Sequence, residues 1–228
     1  MTPPAPRAVV FDLDGTLLDS MPLVLRAYAH ALAPFCQPLS DDALLARLGG
    51  PPERVFLEMI PDRAQVAEAL RRLREISLQY WKLIQPFDGM LALIDELHGA
   101  ACTVGVWTGR ERESTEWLLH EHGLRGKLDA LVCGDDMPSH KPDPAGLAEV
   151  LRRLGVARSN ALFVGDADVD VVAGGAIDVR TLLIRHGRAV NLGVLAQAWR
   201  VVDTPAEAYA VLRAEVIAGG SARPPTAG

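Results

Sequence analysis

The chain has 228 residues, 49% of them hydrophobic and 23% charged, with a formal net charge of -6. This is the balance of a folded globular protein with one substantial core and room for a second small one, and it excludes a disordered chain. The acidic balance, with only 5% aromatic residues and no basic patch interleaved with them, excludes a nucleic-acid module and gives no reason to expect an anionic membrane as partner.

In chain order, "RAVVFD" reads as a wholly buried first strand that stops at two acids, Asp12 and Asp14. Side chains of an extended backbone alternate with period two, so both carboxylates fall on one side. At about 4 Å and an effective dielectric of about 20 they repel by roughly 4 kcal/mol, which calls for a cation to offset them. Ser20-Met21-Pro22 then opens a helix predicted to run to about Phe35, with proline in its first turn. "SDDALLARLGG" is a short helix with a serine cap and a glycine stop, and "PPERVFLEMI" and "DRAQVAEALRRLREISLQYWKLI" continue the helical pattern to residue 84. The stiff turn Gly49-Gly50-Pro51-Pro52 could present Arg47 or Arg54 to a ligand, or simply join two helices.

After Pro86 the texture changes. Short apolar runs, "CTVGVW", "LDALVC", "ALFVG" and "RTLLI", are separated by amphipathic helices such as "ERESTEWLLHEHG" and "PAGLAEVLRRLG". Strands alternating with helices predict an α/β fold, a Rossmann-like parallel sheet with right-handed crossovers. The helical block is then an insertion after the first strand. The expected domains are an α/β core of residues 1–18 and 87–228 and a helical domain of residues 19–86, with Pro86-Phe87-Asp88-Gly89 as the returning linker. There are no internal repeats, and the tail "GGSARPPTAG" has the composition of a disordered segment.

Cys36, Cys102 and Cys133 are odd in number, widely spaced and set in apolar surroundings, which predicts buried free thiols in a reducing compartment, not a disulfide framework or zinc site. The four apolar residues before the first acid are too few for a signal peptide, and no run approaches the roughly 18 of a membrane span. The expectation is a cytoplasmic protein, a monomer or small homo-oligomer.

In open α/β sheets ligands bind beyond the carboxyl ends of the strands. There the first strand places Asp12 and Asp14, the second Thr108-Gly109-Arg110, the third leads through "CGDDMPSHKPDP" to Lys141, and the fourth ends in "GDADVD", residues 165–170. Carboxylates from two strand ends, a hydroxyl and a lysine are the donor set for a divalent metal and a phosphate. Taken singly, each has a plainer reading: Asp12 and Asp14 a solvated turn, Thr108 and Asp166 helix caps, Lys141 a loop lysine. Arg110 and Asp168 are expected to face solvent, His140 to be a loop residue and Trp107 to belong to the core.

Taken in order, "FDLDGTLLDS", Thr108, Lys141 and "GDADVD" resemble the four motifs of the haloacid dehalogenase superfamily in its phosphatase branch, over essentially the whole chain. The inserted helices resemble the small mobile cap of relatives that act on phosphoglycolate, sugar phosphates and pyrophosphate. The resemblance implies phosphoryl transfer from a small phosphorylated metabolite through an aspartyl-phosphate, with Mg2+ as cofactor. It implies Asp12 as nucleophile and Asp14 as acid and base, with Thr108, Lys141 and Gly109 at the phosphoryl oxygens. Gly15 turns the chain beneath the phosphate, and Arg54 in the cap suits an acidic group on the leaving half. The resemblance places the metal on Asp12, the backbone carbonyl of Asp14 and Asp166, with Asp170 orienting a metal-bound water or Lys141. A phosphomutase of the β-phosphoglucomutase type shares this set and differs in excluding water. Hydrolytic dehalogenation would lack Asp14, and a catalytically silent binding protein would have no use for all four motifs.

Overall fold

A computed structural model describes residues 6–45, 47 and 52–218. The turn at Gly49-Gly50-Pro51, the first five residues and the tail from Gly219 lie outside the described residues. The chain forms two compact units, one from the described residues up to Leu18 and from Pro86 onward, the other Asp19–Gln85.

In chain order the elements are β1 (Ala8–Phe11), β2 (Leu18–Asp19), α1 (Met21–Leu32), α2 (Asp41–Leu45), α3 (Pro52–Met59), α4 (Val66–Gln79), β3 (Gln85–Pro86), α5 (Met90–Gly99), β4 (Thr103–Trp107), α6 (Arg112–Glu121), β5 (Ala130–Val132), α7 (Ala145–Leu154), β6 (Ala161–Gly165), α8 (Asp168–Ala176), β7 (Arg180–Ile184), α9 (Leu192–Leu195), β8 (Arg200–Val202) and α10 (Pro205–Leu212). Six strands make one sheet in the order β5-β4-β1-β6-β7-β8, with every pair parallel. The expected α/β fold with a parallel sheet is what the chain adopts. All four residues of β1 and all five of β6 are buried, as strands covered on both faces must be. Their core includes Leu147, Val150 and Leu151 of α7 against Trp107, Val132 and Phe163. The Trp107 and Phe163 rings lie 5.6 Å apart, so Trp107 is a core residue as the sequence indicates. Helix α5 buries Met90, Leu93, Ile94 and Leu97 and packs on β4.

The helical unit has a core of its own, centred on Tyr28, Leu32, Val55, Phe56 and Ile60, with the Tyr28 and Phe56 rings 5.3 Å apart. Helix α1 stops at Leu32, short of the expected Phe35. Pro34 has no N–H for the carbonyl of His30, so the ladder breaks there although Ala33 itself keeps helical backbone, at φ -49° and ψ -37°. The His30 carbonyl accepts instead from Arg72 Nη2 at 3.2 Å. The long helical run after Asp62 is likewise broken: α4 ends at Gln79 and the chain tightens into a 3-10 turn over Trp81–Leu83. All three cysteines are free; Cys102 and Cys133 are buried, whereas Cys36, expected to be buried, is half-exposed at the end of α1. Among the described residues no helix is long and apolar enough to cross a membrane.

Candidate active site

The first strand delivers its acids through a tight loop. Leu17 and Leu18 N–H both donate to the Leu13 carbonyl, and Gly15 N–H donates to Leu18 O at 2.8 Å. Gly15 sits at φ +76°, the left-handed region, and a Cβ there would come within 2.3 Å of Asp166 Oδ2. Gly165 is packed as closely, since its Cβ would lie 2.4 Å from Asp170 Oδ2. Gly15 lets the loop after β1 close on the loop after β6, Gly165 lets the head of α8 fold back on the end of β6, and Tyr209 of α10 fixes the first loop by donating its hydroxyl to Thr16 O at 2.9 Å.

The carboxylates of Asp12, Asp166 and Asp170 each offer one oxygen within 4.8 Å of the others. Lys141 Nζ stands between two of them, donating to Asp12 Oδ1 at 2.6 Å and pairing with Asp170 Oδ1 at 2.7 Å. It lies 4.8 Å from the Trp107 ring centroid and 5.4 Å from that of Phe163, over the apolar floor those rings make. Asp170 Oδ2 also accepts from Ala167 N–H at 3.0 Å, which fixes it at the head of α8. Among the described residues no cationic side chain forms an ion pair with the Asp166 carboxylate. Three clustered carboxylates sharing one ammonium leave excess negative charge, and an all-oxygen donor set suits a hard divalent cation such as Mg2+. The residues present therefore fit such an ion.

The electrostatics agree. Burial pushes the Asp12 carboxyl up to about 7, with Lys141 opposing and Asp170 adding to the rise. Burial, then the charges of Asp12 and Asp170, raise Asp166 well above the usual carboxylate range. Burial works against the charge of Lys141, but Asp12 and Asp170 outweigh it and hold the ammonium above its ordinary value. The sign for stability follows. With folded values raised above the unfolded one, the cation-free fold binds more protons than the unfolded chain, so its stability falls as pH rises through about 7. The acids with lowered values, such as Asp136 and Asp203, finish titrating below this range. In EDTA the melting temperature is expected to drop by roughly 5–10 °C between pH 5.5 and 8. Magnesium should restore more of it at pH 8 than at pH 5.5, because it binds the ionised forms. A flat or rising profile in EDTA would contradict this reading.

Thr108 is buried at the end of β4, where its N–H donates to Val132 O at 3.0 Å, and exposed Gly109 follows it. Arg110 does not point to solvent as the sequence suggested. Its Nε and Nη2 fork Asp14 at 3.0 and 2.7 Å, and its N–H donates to Thr108 Oγ1 at 3.1 Å. Arg110 thus holds Asp14 and, with Lys141 on Asp12, offsets the repulsion between the two acids. Asp168 is also not free in solvent: its Oδ1 accepts from Arg188 Nη1 at 2.8 Å. Arg188, together with His186, whose Nε2 lies 2.7 Å from Gly15 O, was not anticipated. The signal existed, because β7 ends on the same rim as the other strands and both residues follow it directly. His140 is an exposed loop residue as expected. In the helical unit Arg47 donates to Ala43 O at 2.5 Å, and Arg54 lies 3.5 Å from Glu58 one turn along α3, with both side chains exposed.

The profile of the haloacid dehalogenase-like hydrolases matches residues 9–184. The chain is similar to a phosphoglycolate phosphatase of Xanthomonas campestris, with 31% identity over 172 residues that cover 74% of this chain and 78% of that protein. It is similar to pyrophosphatase PpaX of Bacillus velezensis, 30% identical over 76% of this chain and 81% of that one. Its fold is similar to that of a haloacid dehalogenase-like hydrolase of Streptococcus pneumoniae, with a TM-score of 0.76 and 20% identity over 92% and 99% of the two chains.

Proposed function

Since the chain belongs to the haloacid dehalogenase-like hydrolases, we propose that it is a magnesium-dependent phosphatase of a small phosphorylated metabolite, acting through an aspartyl-phosphate (acyl phosphate) of Asp12. The observation that carries this reading is the cluster of Asp12, Asp166 and Asp170 with Lys141 seated against two of its members. Phosphatase relatives support it. Asp12, Asp166, the Asp14 carbonyl and Asp170, directly or through water, would hold the ion. When bound, the ion supplies positive charge that lets the Asp12 carboxylate and a phosphate dianion approach each other.

In the first half-reaction an Asp12 oxygen attacks phosphorus, the bond from phosphorus to the leaving oxygen breaks, and Asp14 gives that oxygen a proton. Lys141, Thr108 and the backbone at Gly109 hold the transferring oxygens as charge spreads over them. In the second half a water attacks the same phosphorus while Asp14 takes its proton, which releases phosphate and restores the Asp12 carboxylate. Arg110 bears on both halves. Its fork occupies both Asp14 oxygens, so Asp14 must leave that fork to pass a proton to the leaving oxygen. In this reading the unit Asp19–Gln85 is the substrate-selecting cap, with Arg54 its candidate contact for an acidic leaving half, as in a phosphoglycolate- or sugar-phosphate-like substrate.

The test is a screen over phosphoglycolate, sugar phosphates, nucleotides and pyrophosphate, with and without chelation. Turnover is expected to vanish in EDTA and return with Mg2+, and in heavy-oxygen water each phosphate released should carry one labelled oxygen. Full activity after thorough chelation would overturn the cation requirement. Return of the phosphoryl group to a second sugar hydroxyl, with little free phosphate, would replace hydrolysis by mutase chemistry.

A further inference from the structure

The loop after β7 touches both loops that carry the proposed ligands. His186 Nε2 donates to the Gly15 carbonyl at 2.7 Å, and the imidazole stacks on Phe87 with centroids 5.8 Å apart. Two residues on, the Arg188 guanidinium divides between Asp168 Oδ1, at 2.8 Å, and the backbone carbonyl of Asp166. Arg185, at the start of the same loop, forks Asp203 at 2.6 and 3.0 Å and so anchors the loop to the end of β8. His186 holds φ +50°, a left-handed backbone that a residue with a Cβ keeps only where its surroundings impose it.

The geometry points to Arg188 as a positioning residue for the cation, the working end of a brace that sets the loop bearing Asp166 against the loop bearing Asp12 and Gly15. Two observations separate this role from simple stabilisation. The Arg188 and Asp168 side chains are each 38% exposed, and a pair so accessible to water adds little to folding. The guanidinium also reaches past Asp168 to the peptide of Asp166 itself, so it fixes the backbone from which that carboxylate projects. Asp166 has no cationic partner of its own among the described residues, so its direction depends on this peptide and on the packing of Gly15 against it. The middle acid of "GDADVD" thereby acquires a function: Asp168 holds the arginine that holds the metal-bearing loop. Groups of this kind behind a ligand set its orientation and tune affinity without touching the ion.

The inference rests on the proposed cation site, and its test needs no substrate. Mg2+ is titrated calorimetrically into the full-length, EDTA-stripped chain. Arg188→Met is expected to raise the dissociation constant by about 10–100-fold, Asp168→Asn by less, since Arg188 still reaches the Asp166 carbonyl, and Arg188→Lys should recover part of the loss. The cation-free melting temperature of each variant should stay within about 2 °C of the wild type. Wild-type affinity in Arg188→Met, or a cation-free melting temperature that falls in step with affinity, overturns the brace. A wild-type chain that takes up no magnesium overturns the cation reading itself and the brace with it.

Discussion

Asp12→Asn is expected to abolish turnover, by at least about 10⁴-fold, because the amide is isosteric but has no anionic oxygen to attack phosphorus. The fold should survive and the cation-free protein should gain stability. Asp12 is buried, its carboxyl is raised to about 7 mainly by that burial, and its charge repels Asp166. Replacing it by a neutral side chain removes the repulsion and leaves Lys141 paired with Asp170. Turnover and melting in EDTA at pH 8 test both halves, with mass spectrometry of the quenched wild type to locate the phosphoryl group. Activity within tenfold of wild type would assign the nucleophile elsewhere. A large fall in stability would show that Asp12 is held chiefly by its bond to Lys141, against the balance of charges given above.

Lys141→Met has the second large effect, and its sign depends on pH. The ammonium is the cation shared by Asp12 and Asp170, and breaking a buried pair by removing one partner costs about 3–5 kcal/mol when the remaining charge is uncompensated. The methionine fits the apolar floor of Trp107 and Phe163, so the loss is electrostatic and not one of packing. Asp12 can escape the penalty by staying protonated. Its folded value, already raised, rises further without Lys141, so the variant keeps its stability at low pH and loses it as pH climbs through that value. Urea denaturation in EDTA should show the variant's deficit growing by about 1–1.5 kcal/mol between pH 5 and pH 8, the share of the penalty that Asp12 adds once pH passes its wild-type value of about 7. With magnesium and substrate, kcat should fall by at least about 10²-fold, the usual loss when one donor to a developing anion is removed. A deficit equal at both pH values would trace the loss to packing.

Much of this site could be read from the chain because buried parallel strands announce themselves. "VVF", "VGVW" and "LFVG" are apolar runs that stop abruptly, and in such a sheet whatever follows the stop lies on the ligand-binding rim. Asp12, Thr108 and Asp166 are found that way. Arg110 was placed wrongly because direction along the chain says nothing about a partner 96 residues away: only the charge of Asp14, brought beside it by β1 pairing with β4, turns the guanidinium inward. Lys141 lies nine residues past β5, too far for any strand-end argument to aim its side chain. Strand β8 escaped because three residues, "RVV", carry no periodicity, and Arg188 because its role depends on contacts with Asp166 and Asp168 twenty or so positions earlier. The end of α1, by contrast, is legible in Pro34, which has no N–H to continue the ladder.

The position of β1 in the sheet limits how Asp12 can move. It is bonded along both edges, to β4 on one side and β6 on the other, in register over all four residues. Fluctuations that free an edge strand break one ladder; freeing β1 means breaking two and splitting the sheet through its middle. Amides of Val9, Val10 and Phe11 should therefore exchange with solvent hydrogen only as fast as the whole unit opens, and the backbone that carries Asp12 shares the lifetime of the native state. Lys141, Arg110, Arg188 and His186 lie on loops, so sub-global motion around this site is expected to adjust what surrounds Asp12 and leave Asp12 in place.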